Sequence, residues 1–251
     1  MDTRAAIVTG AGTGIGAAIA RALAARGQTV ALVGRRAAPL QQVAAEIETG
    51  GAGAALVVPA DLADPAAPAA IVDAVVARAG RLDVVVNNAA AFRVARVEQV
   101  MLEDLDQHLA VNVRAPYLLV QAALAHLEAS PSPVVVNVSS AAAAMYRPGQ
   151  TVYGLTKAAL EHLTKNLAAE LAPRRIRVNA VRPGPVDTPI HRAVADPDAR
   201  LAQLGRLTPL GRVGRPEEVA RWVCHLVEPE AEWVTGAIVV VDGGRVLGPP
   251  E

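Results

Sequence analysis

Short apolar runs alternate along the chain with longer stretches of helical period. Buried strands are predicted by the runs at 5–8, 29–33, 54–58, 82–86, 134–138, 177–181 and 237–241. The clearest helix begins at Thr151, where leucines recur every three or four residues until Pro173 ends the segment. Strands that alternate with helices predict a single α/β domain over residues 1–251, with about seven parallel strands in a doubly wound sheet and helices on both faces.

Two segments depart from this regular pattern. Residues 98–113 have the composition of a helix, yet Asn112 lies near its end, and asparagine in a helix indicates a local distortion or a side-chain role. Residues 188–214 lose clear period and carry charges and prolines. We therefore predict that 188–214 forms a mobile flap that binds substrate.

Composition excludes several classes of function. The chain is 52% hydrophobic and 19% charged, with 24 basic and 24 acidic residues, so no nucleic-acid or membrane partner is expected. A single cysteine and the absence of a leader pattern at the start predict a cytoplasmic protein without disulfides. The apolar stretch at 116–127 is too short to cross a bilayer. The five histidines form no ligand cluster, so no metal is expected.

A glycine-rich loop follows the first strand and precedes a helix. Its sequence is Thr9-Gly-Ala-Gly-Thr-Gly-Ile-Gly16. Glycines allow the backbone to approach a pyrophosphate, and the positive end of the helix favours that anion. The alternative is a tight turn that serves packing alone.

The residues after the second and third strands bear on which cofactor binds. Arg35 and Arg36 follow the second strand, where an acid would suit a ribose 2′-hydroxyl and an arginine suits a 2′-phosphate. This predicts NADP(H), unless both arginines are merely solvated at the start of a helix. Asp61, followed by Leu62, is placed to reach an adenine amine, although a helix-capping role is the alternative.

The candidate chemistry lies around the fifth strand. That strand ends in Ser139-Ser140, and Tyr153 and Lys157 follow at a spacing of one helical turn. An ammonium on the same helical face as a phenol is expected to lower the phenol pKa, so that the phenol can exchange protons near neutral pH. Asn87 and Asn88 end the fourth strand and either bind a ligand or tie neighbouring loops together.

With these residues in place, the chain resembles the short-chain dehydrogenase/reductase family over nearly its whole length, and a Rossmann-like fold is implied. The resemblance is carried by the glycine loop, Asp61-Leu62, Asn87-Asn88-Ala89, Asn112, Ser140, Tyr153-x-x-x-Lys157, Pro183-Gly184, Thr188, Gly236 and Asp242-Gly243-Gly244. One departure is Ala90, where the family has glycine.

The resemblance implies a role for each candidate residue. Tyr153 is the general acid or base, Lys157 lowers its pKa and holds the nicotinamide ribose, and Ser140 binds the substrate oxygen. Asn112 anchors a water that links Lys157 to solvent. The implied cofactor-binding residues are Gly10, Thr13, Gly14, Ile15, Gly16, Arg35, Asp61, Leu62, Asn88, Tyr153, Lys157, Val186 and Thr188.

These roles predict an NADP(H)-dependent oxidoreductase that transfers a hydride between nicotinamide and a carbonyl or secondary alcohol, in practice a ketone reductase. The alternatives are an NAD-dependent alcohol dehydrogenase, a 3-oxoacyl-carrier-protein reductase and, from another class, a nucleotide sensor without chemistry. The family is commonly homotetrameric, so a homotetramer is expected. The substrate pocket is predicted to include Phe92, Met145, Tyr146, Gln150, Pro185, Ile190 and His191.

Overall fold

A computed structural model describes residues 4–192 and 195–248. Within these residues all seven strands belong to one parallel sheet with the spatial order β3-β2-β1-β4-β5-β6-β7. The strands are β1 (Ala5–Thr9), β2 (Thr29–Gly34), β3 (Ala54–Pro59), β4 (Val84–Asn87), β5 (Val134–Val138), β6 (Arg177–Pro183) and β7 (Ile238–Val241). The predicted sheet is thus confirmed in strand number and direction.

Helices cover both faces of the sheet. In chain order they are α1 (Gly14–Ala24), α2 (Ala37–Gly50), α3 (Ala67–Ala79), α4 (Leu102–Leu109), α5 (Ala115–Glu128), α6 (Thr151–Leu171), α7 (Pro189–Arg192), α8 (Pro197–Arg206) and α9 (Pro216–Val227). Apolar residues of α1, α2 and α9 pack in a core on one face, and those of α3, α5 and α6 pack in a core on the other.

The strands can serve two cores because successive side chains point to opposite faces. In β1, Ala6 and Val8 belong to the first core and Ile7 to the second. In β5, Val134 and Val136 face the first core, whereas Val135 faces the second. Continuous valine runs are therefore buried on both sides, as a parallel sheet between helical layers requires.

The strand order reverses between β1 and β4. From β1 the chain winds through β2 to β3 at one edge, and from β4 it winds through β5 and β6 to β7 at the other. Loops on the two sides of this point diverge and leave a crevice at the carboxyl ends of the strands, where sheets of this kind bind ligands.

Residues 98–113 do not form one helix, which corrects the prediction. A single 3-10 turn spans Val97–Gln99, α4 follows, and a π-helical segment at Ala110–Arg114 joins α4 to α5. Asn112 lies in that π segment, which confirms the distortion that its presence indicates.

The segment 188–214 is more regular than predicted. It contains α7 and α8, and the Asp196 carboxylate caps α8 by accepting a hydrogen bond from the Ala199 amide at 2.9 Å. Two of its three prolines, Pro189 and Pro197, stand at helix starts, where proline is favoured, and Pro209 lies in a turn after α8, so none of them prevents helix formation. Residues 193–194 of this segment lie outside the described residues.

Candidate active site

A cavity of about 300 Å³ opens at the carboxyl edge of the sheet. Its walls come from the loops after β1, β4, β5, β6 and β7, so that it spans the reversal of strand order. The predicted site residues that line it are Gly10, Thr13, Gly14, Ile15, Gly16, Asn88, Ser140, Tyr153, Lys157, Val186 and Thr188.

Four predicted site residues do not line this cavity. Arg35 is exposed just after β2. The exposed Asp61 carboxylate accepts a hydrogen bond from the Ala63 amide at 3.0 Å, which closes a turn ahead of α3 and does not cap that helix, because α3 begins at Ala67. Leu62 packs in the second core, and the Asn112 side chain is fully buried.

The glycine loop makes a turn that side chains would obstruct. Gly10 and Gly14 have φ of +67° and +55°, a region that favours glycine. A β-carbon on Gly16 would lie 2.2 Å from the Gly10 oxygen. The turn brings the start of α1 to the cavity, and the Thr13 side chain does not cap that helix. Uncapped amides at a helix start suit the pyrophosphate of a dinucleotide, so these residues fit such a cofactor.

Asn88 fixes the glycine loop to the neighbouring strand. Its side chain donates to the Thr9 carbonyl oxygen at 2.8 Å, and the Thr9 hydroxyl accepts from the Asn88 and Ala89 amides. The Asn88 side chain therefore ties neighbouring loops together, which is one of the two roles predicted for it. Asn88 also lines the cavity.

Tyr153 lies in the first turn of α6 and faces the cavity. Its ring packs edge-on against Phe92, with ring centroids 4.9 Å apart, and Lys157 Nζ lies 5.8 Å from the ring centre. Burial raises the pKa of the phenol, and hydrogen bonding with the Ser140 side chain acts in the opposite direction. The phenol pKa is thus raised and not lowered as expected, because the loss of hydration is the largest influence and outweighs the Ser140 hydrogen bond.

Lys157 is a buried cation at the base of the site. Only 2% of the residue is exposed, and Nζ donates to the Val138 carbonyl oxygen at 2.8 Å. Burial lowers its pKa to about 8, and the charge of Glu161 acts to raise it.

A partly buried ion pair behind Lys157 was not predicted. Arg182 donates two hydrogen bonds, at 2.7 and 2.5 Å, to the Glu161 carboxylate, which also accepts from the Ser139 hydroxyl at 2.7 Å. The Ser139 hydroxyl is thereby engaged by Glu161 although Ser139 also lines the cavity, and Ser140 is the serine whose side chain hydrogen-bonds with Tyr153. Glu161 lies one helical turn after Lys157, a spacing visible in the sequence.

Asn112 supports the site from behind. Its side chain accepts from the Ala91 amide at 2.7 Å and donates to the Ala91 oxygen and the Thr156 hydroxyl, both at 3.0 Å. The Thr156 hydroxyl in turn donates to the Tyr153 carbonyl oxygen at 2.9 Å. Asn112 therefore ties α4–α5 to the first turn of α6.

The outer wall of the cavity matches the predicted substrate pocket with one exception. Phe92, Met145, Gln150, Pro185, Ile190 and His191 line it. Tyr146 was predicted there and is fully exposed, so that prediction is wrong. Arg147 and Arg245 also line the cavity and were missed, because each is a lone arginine outside the strands and α-helices, without a local pattern.

The described residues lack two features that mark other classes of protein. They contain no group of three or more histidine, cysteine or carboxylate residues that could hold a metal ion. None of their helices is both long enough and apolar enough to span a membrane.

Comparison with known proteins identifies the family. The family described as enoyl-(acyl carrier protein) reductase matches residues 10–245. The short-chain dehydrogenase/reductase FrzI of Cladobotryum sp is 42% identical over 97% of this chain and 96% of its own length. The chain belongs to the short-chain dehydrogenase/reductase family. It is accordingly an oxidoreductase that acts on CH–OH or C=O groups with a nicotinamide cofactor.

Other members of the short-chain dehydrogenase/reductase family resemble the chain comparably. A D-threitol dehydrogenase of Mycolicibacterium smegmatis is 37% identical over 98% of this chain and 94% of its own length. The 3-oxoacyl-[acyl-carrier-protein] reductase FabG of Thermotoga maritima is 36% identical over 98% and 99%.

Solved structures of the family have the same fold. A short-chain dehydrogenase of Burkholderia cenocepacia in complex with NADP is 38% identical, with a TM-score of 0.89 over 98% of both chains. A 3-ketoacyl-(acyl-carrier-protein) reductase of Brucella melitensis complexed with NADH is 34% identical, with a TM-score of 0.88 over 97% of this chain and 98% of that one.

Proposed function

We propose that this chain reduces ketones to secondary alcohols with NADPH. The observation that carries the proposal is that the Tyr153 phenol, the Ser140 side chain and the Lys157 ammonium meet on one cavity with the glycine turn. When bound, the nicotinamide would supply the hydride. Gly14, Ile15 and Gly16 would hold the pyrophosphate at the start of α1.

The residues of the chain supply the proton and the orientation. Ser140 would donate a hydrogen bond to the carbonyl oxygen while Tyr153 protonates it. Because burial raises the Tyr153 pKa, the phenol is protonated at neutral pH, which suits a donor to a carbonyl and hence the reductive direction. Lys157 would stabilise the tyrosinate that remains.

Asn112 would act chiefly by positioning. The Asn112 side-chain amide donates both of its hydrogens, one to Ala91 and one to Thr156. The water that the resemblance implies between Asn112 and Lys157 would therefore bind to the remaining acceptor capacity of the Asn112 side chain or to its main chain. The bond through Thr156 would hold the start of α6, and with it Tyr153, at the correct depth in the cavity.

The preference for NADP(H) is supported by the end of β2. Arg35 and Arg36 are exposed there, and the strand ends without an acid that would accept from a ribose 2′-hydroxyl. Asp61 and Leu62, at the end of β3, would flank the adenine, with Leu62 contributing main chain because its side chain is in the core. The alternative is NAD-dependent alcohol oxidation with the same catalytic groups. The similarity to a D-threitol dehydrogenase, named for the oxidation of an alcohol, supports this alternative.

The proposal is tested by following NADPH and NADH consumption against ketones, quinones, steroids and β-ketoacyl thioesters. We expect at least one ketone to be reduced, with NADPH preferred. Tyr153→Phe should bind cofactor normally, as measured by fluorescence titration, and lose turnover by roughly 10²-fold or more. Undiminished turnover in that variant would refute the role of Tyr153, and binding of nucleotide without any turnover would support a sensor instead.

We also propose that the chain assembles as a homotetramer. Apolar side chains are exposed on adjacent helices, among them Leu102 and Leu109 of α4, Tyr117 of α5 and Leu155 of α6. A second copy of the chain would cover them. Light scattering coupled to size exclusion tests this, and a monomer at micromolar concentration would contradict it.

A further inference from the structure

One half of the cavity carries basic side chains that the proposed hydride transfer does not use. Arg147 lies in the loop between β5 and α6, His191 lies in α7 after β6, and Arg245 follows β7, and all three line the cavity. Arg200 of α8 lies close enough to repel Arg147 and His191. These residues come from the β5–β7 side of the sheet. The glycine turn follows β1, on the other side of the reversal of strand order.

These charges are poorly compensated. Arg245 is only 6% exposed, and among the described residues its Nε has no hydrogen-bond partner, although one terminal nitrogen donates to the Leu207 oxygen at 2.7 Å. Arg147 is half-buried. Within the described chain neither arginine forms an ion pair. Buried guanidinium groups are costly when they lack an anionic partner.

The neighbouring acid is already paired. Asp187 is the acid close to His191. The Arg192 guanidinium donates two hydrogen bonds, at 2.5 and 2.6 Å, to the Asp187 carboxylate. Burial, followed by repulsion from Arg200 and Arg147, lowers the His191 pKa. Burial also lowers the Arg147 pKa, with repulsion from Arg245 and Arg200 as the further causes. An anion in the cavity would relieve this repulsion.

We propose that the substrate is an anionic carbonyl compound whose carboxylate or phosphate-type group is bound by Arg147 and Arg245. The inference rests on the proposed function and narrows its substrate class. Guanidinium groups bind both kinds of anion through paired hydrogen bonds. Phe92 and Met145 line the same cavity and would contact the carbon chain between the anion and the carbonyl beside Tyr153.

The kinetic test uses ketones that differ only in charge. Oxo acids of four to six carbons are compared with their methyl esters, and with oxoalkylphosphonates of the same chain length, by kcat/KM. We expect the acid to exceed its ester by roughly tenfold or more, and Arg147→Gln to abolish most of that ratio. Arg221→Gln, which removes an exposed charge on α9, should preserve the ratio. The phosphonate arm shows whether a carboxylate or a phosphate-type group is preferred.

A binding measurement separates this inference from the proposed function. Glutarate and inorganic phosphate are titrated calorimetrically into the full chain saturated with NADP⁺. Binding of either anion that weakens tenfold in Arg147→Gln, and not in Arg221→Gln, supports the anion site even if no ketone is reduced. Reduction of esters as efficient as that of acids, without anion binding, would overturn the anion site and leave ketone reduction intact.

Discussion

The two ends of the cavity recognise their ligands by different physical means. At the glycine turn the contact surface is backbone, the side chains are small, and the packing leaves no space for one added carbon at Gly16. At the β5–β7 end the cavity is bordered by Lys157, Arg147 and Arg245, all ionisable and wholly or partly buried. The first end selects by shape, and the second selects by charge.

This difference has a consequence for mutation and for pH. Backbone recognition at the glycine turn should be insensitive to pH and intolerant of any added atom. Recognition by buried charge should tolerate small changes of shape and respond strongly to the loss of one charge, because the partner is then left unpaired in a poorly hydrated place.

The largest effect is expected at the glycine turn. In Gly16→Ala the new β-carbon would lie 2.2 Å from the Gly10 carbonyl oxygen and 2.4 Å from the side-chain nitrogen of Asn88, so the turn must move. A displacement of this size should weaken NADPH binding by roughly 10²-fold. Gly50→Ala is the control, because nothing lies within 4 Å of its β-carbon. Equal affinities of the two variants by fluorescence titration would contradict selection by shape.

A smaller effect is expected when the ion pair behind Lys157 is broken. Glu161→Gln leaves Arg182 without its carboxylate partner, and we expect the free energy of unfolding to fall by about 2 kcal/mol. Glu46→Gln is matched to it, because Glu46 also pairs with an arginine at 2.7 Å but on the exposed surface. That control should change stability by less than about 0.5 kcal/mol. Similar losses in urea titrations of both variants would show that burial does not distinguish the two pairs.

The two ends also differ in how far the sequence predicts them. The glycine turn, and the pair Tyr153 and Lys157, depend on spacing within one loop or one helical turn, so the sequence alone places them on the cavity. The continuous apolar runs that alternate with helical stretches likewise predict the parallel sheet. Glu161 follows the same helical spacing from Lys157 and was within reach of the same argument.

The charged end depends on tertiary structure instead. Arg147 and Arg245 belong to loops after different strands, and only the winding of the sheet brings them to one cavity. The raised pKa of Tyr153 was unpredictable for a related reason. Spacing indicates that a cation is near, but the degree of burial decides which influence dominates, and burial follows from the complete fold.

Outside the cavity, one charge after β2 has a proposed role in cofactor binding that can be isolated. Arg35→Ala should lower kcat/KM for NADPH about tenfold and leave that for NADH nearly unchanged, because only the first cofactor has a 2′-phosphate. Arg221→Ala removes the same charge from α9 and should leave the preference intact. A preference for NADPH that survives Arg35→Ala would make Arg35 a solvated surface residue.

The smallest effect is expected at Lys157, the most deeply buried cation of the charged end. Its pKa is about 8 in the folded chain and 10.5 as the ordinary value, so between these values the unfolded chain binds more protons. The free energy of unfolding should therefore rise with pH as the folded-state cost of the buried charge is relieved, by about 1 kcal/mol between pH 7 and 9. Lys157→Met removes the titrating group, so its free energy of unfolding should lack this rise with pH. The free energies are measured by urea unfolding of both proteins between pH 7 and 9, and the difference between them isolates the contribution of Lys157. Parallel profiles would mean that the ammonium is hydrated as well in the site as in the unfolded chain, and the charged end would then lack the desolvation that sets it apart from the glycine turn.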